Sequence, residues 1–226
     1  MTRFQAFFFD MDGVLYDSMP NHSAAWEDIM SSHGLNFTAR DCYINEGRTG
    51  PDVINEAIRR AFHRDGTAAE IDAIYAEKTA AFQARGGALP MGGVKEVLTF
   101  LKNTPTPNDA ERQIWIVTGS GQQSLFDELQ HDFPGIFMRN RMVTAFDVTH
   151  GKPHPEPYLK AWQGSGLSKG DCCVIENAPL GIRAAKDAGL YTIGVNTGIL
   201  TNEDLAAAGA DKVLNNMYEL LAFLRA

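Results

Sequence analysis

Asp10 and Asp12 stand two residues apart at the end of an apolar run and are followed at once by Gly13. A carboxylate is already ionised at neutral pH, so Asp10 can attack phosphorus without a base to activate it. If Gly13 lets the chain turn sharply, Asp12 faces the same mouth. It can then protonate a leaving oxygen and later deprotonate water. That double role calls for a raised pKa, and the neighbouring like charge acts in that direction. The plainer alternative is a solvated aspartate capping the turn after a strand.

Three further sets of residues could share that chemistry. Thr118-Gly119-Ser120-Gly121 offers hydroxyl and backbone N–H donors to phosphate oxygens at a helix start, although Thr and Ser also serve as plain N-caps. The Gly-Ser-Gly lacks the Gly-x-Ser-x-Gly spacing of a hydrolase nucleophile elbow. Lys152 lies in His150-Gly151-Lys152-Pro153-His154-Pro155-Glu156-Pro157, a rigid approach to a helix. Held there, it is placed to neutralise a nucleophile and a phosphate together; otherwise it is a solvated loop lysine. Glu176 and Asn177 close another apolar run. Glu176 with Asp10 offers the hard oxygen ligands that Mg2+ takes alongside phosphate and water, with helix capping as the alternative. Each set is weak alone; all four at successive strand ends are specific.

The elements that must position these residues follow from the apolar pattern. Short apolar runs at 4–9, 114–117, 142–146, 172–175 and 191–195 alternate with helix-period stretches. Those stretches include Val94/Val97/Leu98/Leu101, Leu125/Phe126/Leu129, Tyr158/Leu159/Trp162 and residues 179–188, the last closed by Gly189. This predicts an α/β fold with a doubly wound parallel sheet, whose ligands bind beyond the carboxyl ends of the strands. Residues 18–87 break the alternation with three helical stripes only, around Ala25/Trp26/Ile29/Met30, 53–62 and 71–82. They are expected to form a small all-helical cap domain inserted after the first strand, between core segments 1–17 and 88–226. The glycine-rich stretch 86–93 is the expected hinge, and Thr104-Pro105-Thr106-Pro107 an expected surface turn.

Composition narrows the partners. With 44 % apolar and 21 % charged residues in 226, the chain is an ordinary globular one. Its net charge of −8, without a basic stripe, argues against nucleic acid or an anionic membrane as partner. Three cysteines, 42, 172 and 173, fit a reducing compartment, and Phe7-Phe8-Phe9 is too short for a membrane span. A cytoplasmic monomer acting on a small molecule is the expectation.

Taken in order, Asp10/Asp12, Thr118, Lys152 and Glu176/Asn177 resemble the four motifs of the haloacid dehalogenase superfamily over the whole chain. Asp12, His22 and Trp26 are spaced as in its β-phosphoglucomutase-like branch. The resemblance implies a Rossmann-like core, a helical cap and an aspartyl-phosphate route. Asp10 would be the nucleophile and Asp12 the acid and base. Mg2+ would be held by Asp10, the Asp12 carbonyl and Glu176 or Asn177, while Thr118, Gly119, Ser120 and Lys152 would hold the phosphoryl group. A dehalogenase is disfavoured by the acid at 12. Asn177 departs from the usual acidic pair, and Glu46 in Asn45-Glu46-Gly47-Arg48-Thr49-Gly50 could replace the missing charge at the metal. That pairing resembles the superfamily's inorganic pyrophosphatases and implies a small closed site suited to pyrophosphate or another small phosphorylated substrate. His22 and Lys78 resemble cap residues of the mutases, whose cap arginine Arg48 does not align with, so a β-phosphoglucomutase is the alternative. A phospho-acceptor or ligand-binding module is the non-enzymatic one, disfavoured by the position of Asp10 on the first strand.

Overall fold

The computed structural model of this chain describes residues 3–106, 108, 110–121 and 125–226. Six strands, β1 (Ala6–Phe9), β2 (Gln113–Val117), β3 (Met142–Val143), β4 (Cys172–Glu176), β5 (Tyr191–Val195) and β6 (Lys212–Leu214), make one sheet. All five pairings are parallel and the order is β3-β2-β1-β4-β5-β6. Between β1 and β2 run α1 (Met19–Ser32), α2 (Ala39–Ile44), α3 (Gly50–Phe62), α4 (Ala68–Ala84) and α5 (Val94–Asn103). Five more helices follow: α6 (Leu125–Asp132), α7 (Glu156–Ser165), α8 (Pro179–Asp187), α9 (Asn202–Ala207) and α10 (Met217–Arg225).

Side chains alternate across a strand, so a sheet covered on both faces needs apolar residues at every position. The central strands meet that demand. Phe7, Phe9, Ile114, Ile116, Cys173 and Ile175 pack on one face with Val97, Leu101, Leu129 and Leu220 from α5, α6 and α10. Ala6, Phe8, Trp115, Val117, Cys172 and Val174 pack on the other with Tyr158 and Ala161 of α7 and Ala184 and Ala185 of α8. This is the doubly wound α/β core expected from the sequence.

Helices α1 to α4 share a third apolar cluster, in which Met19, Trp26, Tyr43, Ile54 and Ile74 meet Ile182, Leu200 and Leu205 of the sheet-bearing part. The two chain crossings that join them to the core run side by side. Asp17 N donates to Leu89 O at 2.9 Å and Met91 N to Leu15 O at 2.8 Å.

Several local expectations need correction. The run at 142–146 leaves the sheet after two residues, because Thr144 caps a 3-10 turn over Ala145–Asp147. The short helix α2 and the edge strand β6 have no apolar run to announce them. The Thr38/Asp41 capping box was a readable start signal for α2. Thr106, expected at the surface, is buried, its hydroxyl accepting from Ala110 N, and Pro107 lies outside the described residues. Beside it the Arg112 guanidinium is almost fully enclosed and donates to the carbonyls of Phe4, Thr104 and Pro105.

Candidate active site

The strand order reverses at β1, whose neighbours are β2 and β4, and such a switch point opens a crevice at the carboxyl edge. Asp10 follows β1 there and Glu176 ends β4. The Asp10 backbone is tied across by its N–H to Ile175 O at 3.0 Å. Gly13 then turns the chain with φ +74°, and a Cβ on it would fall 2.1 Å from Asn177 Nδ2. Both the dihedral and the space demand glycine.

Lys152 comes to this crevice from the proline-rich segment before α7. Its buried Nζ donates to Asp10 Oδ1 at 2.5 Å, Glu176 Oε1 at 2.6 Å and Val117 O at 3.1 Å, which uses all three ammonium protons. Glu176 is equally saturated. Its Oε1 also accepts from Tyr158 Oη at 2.8 Å, and Oε2 accepts from the N–H groups of Asn177 and Ala178. Binding a cation directly would therefore cost Glu176 one of its present donors. The Tyr158 role was missed in the sequence, where that residue reads as one more apolar position on α7.

Glu46 arrives from the loop between α2 and α3. Its Oε2 accepts from Asn177 Nδ2 at 2.9 Å, and Gly47 beside it packs so closely that a Cβ would lie 3.1 Å from Lys152 Cβ. Two oxygens here, Glu46 Oε1 and Asn177 Oδ1, are buried without a hydrogen-bond partner among the described residues. Buried polar atoms are expensive to leave unpaired, so orphaned oxygens point to a missing partner.

The charges point the same way. Asp10, Glu46 and Glu176 gather around the buried Lys152 ammonium, with Asp12 beside them facing His22 and, beyond it, Lys78. Burial first, and then the Glu176 charge, push the Asp10 carboxyl up to about 7 in spite of Lys152. Burial and the Asp10 charge raise Glu46 well above the ordinary carboxylate range. Burial works against the charged form of Lys152, but Asp10 and Glu176 outweigh it and raise its pKa. Surplus negative charge on Asp10 and its neighbours, with unpaired hard oxygens on Glu46 and Asn177, fits a divalent cation of the magnesium class.

Asp12 departs from expectation. Burial pushes its pKa up, but hydrogen bonding from His22 and Ser18 outweighs that and the net shift is downward. Ser18 Oγ lies 2.5 Å and His22 Nε2 3.5 Å from Asp12 Oδ1. The His22 ring is stacked on Phe82 at 3.9 Å, and its Nδ1 lies 2.8 Å from the buried Lys78 Nζ. Lys78, His22 and Asp12 thus form one chain of contacts from α4 into the site. Arg48 Nη1 donates to Asn45 Oδ1 at 3.1 Å beside it.

Thr118 and Ser120 lie at the mouth, with the Ser120 N–H donated to Thr118 Oγ1 at 3.0 Å. Residues 118–121 are not helical and, among the described residues, α6 begins at Leu125, so Thr118 and Ser120 do not themselves start the helix as expected. The cleft over these groups is larger than the closed site implied by a lid over Glu46. It encloses about 1390 Å³, from Asp10, Thr118 and Gly119 outward to Tyr75, Gln83 and His131.

A profile of haloacid dehalogenase-like hydrolases matches residues 4–189. The chain belongs to the haloacid dehalogenase-like hydrolase family. Within this family it lies in the β-phosphoglucomutase-like branch. It is similar to a Bacteroides vulgatus protein provisionally assigned as a β-phosphoglucomutase, with 44 % identity, a TM-score of 0.87 and coverage of 98 % of this chain and 90 % of that one. It is 32 % identical to hexitol phosphatase A of Escherichia coli K12, over 86 % of this chain and 84 % of that protein. Validoxylamine A 7'-phosphate phosphatase of Streptomyces hygroscopicus is 28 % identical over 94 % and 93 %. No helix among the described residues of this hydrolase is long and apolar enough to cross a membrane.

Proposed function

We propose that this hydrolase is a magnesium-dependent phosphohydrolase that forms a phosphoaspartate at Asp10, and that pyrophosphate is its preferred substrate. The observation that carries the reading is the reach of Glu46 to Asn177 at 2.9 Å, which brings a fourth carboxylate into the site from the helical insert. In this reading residues 18–87 act as a cap that completes the site.

Lys152 holds one oxygen of Asp10 and orients the other for in-line attack. The Thr118 hydroxyl and the Gly119 N–H would donate to the transferring phosphoryl group, since the Thr118 and Ser120 N–H groups are committed to Val143 O and Thr118 Oγ1. Asp10, Glu46, Asn177 and the Asp12 carbonyl would hold Mg2+, which supplies charge neutralisation to nucleophile and phosphate. Asp12 enters as a carboxylate whose pKa is held down. It is therefore ionised at neutral pH, without a proton to give a leaving alkoxide, and free to accept one from water in the second step, though with less driving force than an ordinary carboxylate. A leaving phosphate is far less basic than a sugar alkoxide and departs with little protonation. Lys78 and Arg48, which line the cleft, would serve as cations for a charged leaving group.

One observation favours a second reading. A cleft of about 1390 Å³ has room for a phosphorylated sugar or polyol, the substrates named for several relatives. A magnesium-containing panel of pyrophosphate, hexitol phosphates and β-glucose 1-phosphate separates the two. Pyrophosphate is expected to release phosphate fastest. Faster release from a sugar or polyol phosphate rejects the pyrophosphate preference, and formation of glucose 6-phosphate establishes a mutase.

A further inference from the structure

The loop that delivers Lys152 carries a second set of metal-ligating groups with no part in the chemistry above. His150, His154 and Glu156 each present a ligand atom, and all three atoms lie within 4.8 Å of one another. We propose that these three residues bind a zinc-class divalent cation, separate from the magnesium centre, and so clasp the loop that carries Lys152.

The geometry suits one ion. His150 Nδ1 and Glu156 Oε2 are 3.1 Å apart. Two donors bound to the same ion at ~2.1 Å each stand roughly 3.0–3.4 Å apart, so an ion could replace the hydrogen bond these two atoms now make with little movement. The His150 and His154 rings face each other with centroids 4.7 Å apart. The Glu156 carboxylate is fixed before any ion arrives, because its oxygens accept from Thr149 N and His150 N at 2.9 Å each. Such outer hydrogen bonds orient metal ligands and lower the cost of ordering them. Lys160 approaches Glu156 Oε1 at 3.6 Å, whereas Oε2, held by the His150 N–H, lies against His150 Nδ1 and is the oxygen an ion shared with that ring would take. The Glu156 N–H now bonded to His154 Nδ1 at 3.2 Å can remain only if His154 binds through Nε2.

Ligand type sets the selectivity. Two imidazoles and one carboxylate suit zinc, cobalt or nickel, whereas magnesium takes oxygen ligands almost alone. Both histidines are exposed, so water completes the coordination and the ion exchanges with solvent. The ring formed by residues 150–156 closes over Lys152, two residues from each histidine. An ion there holds the segment that places Nζ between Asp10 and Glu176.

The test uses tag-free protein in saturating magnesium, with zinc bound counted by equilibrium dialysis and cobalt followed by its visible absorption. The double variant His150→Ala/His154→Ala is expected to bind one zinc fewer than the parent. It should lose the cobalt band while keeping its folded circular dichroism and magnesium-dependent turnover. Zinc is also expected to slow amide exchange across 149–156 in the parent and leave the variant unchanged. Equal zinc stoichiometry in the two proteins overturns the proposal, as does full displacement of the parent's zinc by magnesium. Single variants His150→Gln and His154→Gln cover the case in which the double variant fails to fold.

Discussion

Asn177 Nδ2 donates to Glu46 Oε2 at 2.9 Å across 131 residues of sequence, joining the loop after α2 to the end of β4. The contact leaves Asn177 Oδ1 and Glu46 Oε1 buried and unpaired on either side of it. A carboxylate from a different part of the chain thus lies against Asn177, beside Glu176.

Replacing Glu46 by Gln tests that arrangement. A glutamine oxygen still accepts from Asn177, and its amide N–H can donate to the orphaned Asn177 Oδ1. The metal-free variant should therefore melt above the parent. Magnesium affinity should fall by about 10- to 100-fold, the usual cost of disturbing a metal's supporting groups. Thermal unfolding with and without magnesium reads both effects; unchanged magnesium dependence removes Glu46 from the metal.

Asp10 links stability to pH with a definite sign. Its folded pKa of about 7 lies above the ordinary 3.8, so the folded chain holds the proton more tightly. The stability this confers is complete below about 3.8 and is lost as pH rises through about 7. Metal-free parent should therefore lose stability over that range relative to Asp10→Asn, whose amide does not titrate. Magnesium should remove the difference. Melting curves of both proteins between pH 4 and 8 check this, and a flat difference refutes it. The variant should also lose turnover by about 10⁴-fold or more, as expected for a nucleophile.

Lys152→Met strips the ammonium from two buried carboxylates. Breaking a buried pair from one side typically costs about 3–5 kcal/mol, since the partner is left charged and unpaired. Acidic conditions should recover part of that loss by protonating Asp10, while turnover stays absent at every pH. Urea unfolding at two pH values measures the recovery; an equal loss at both contradicts the pairing described.

Gly181→Ala should act on the site from behind. A Cβ on Gly181 would lie 1.8 Å from Glu176 Oε1, the atom that Lys152 and Tyr158 share. The methyl group must displace Glu176, so Lys152 loses a partner without any site residue being changed. Turnover should fall at least as far as in Tyr158→Phe, which removes one hydrogen bond worth about 1–3 kcal/mol to the charged Glu176. Assays of both variants under one set of conditions decide the order.

The order of the motifs and the two-faced apolar strands were legible because each depends on neighbours in sequence. Residues 7–9, 114–117 and 172–175 are apolar at every position, which only a sheet covered on both faces requires. Asp10, Lys152 and Glu176 then fall at strand ends or in the loops that follow. The short edge strand β6 and helix α2 were not legible from apolar pattern, since few of their side chains are buried, although the Thr38/Asp41 capping box marks where α2 begins.

What the linear order of residues determined was which groups reach the carboxyl edge of the sheet, because strand periodicity and turn chemistry are local. Only the tertiary structure decided how those groups share protons and partners. Asp12 was expected to rise in pKa beside another acid, yet Ser18 and His22 bring it down. Glu176 reads as a metal ligand, yet Lys152, Tyr158 and two backbone N–H groups occupy its oxygens. Both outcomes depend on burial and on donors distant in sequence or set by the fold's turns, and electrostatic interactions depend on distance and dielectric rather than on sequence order.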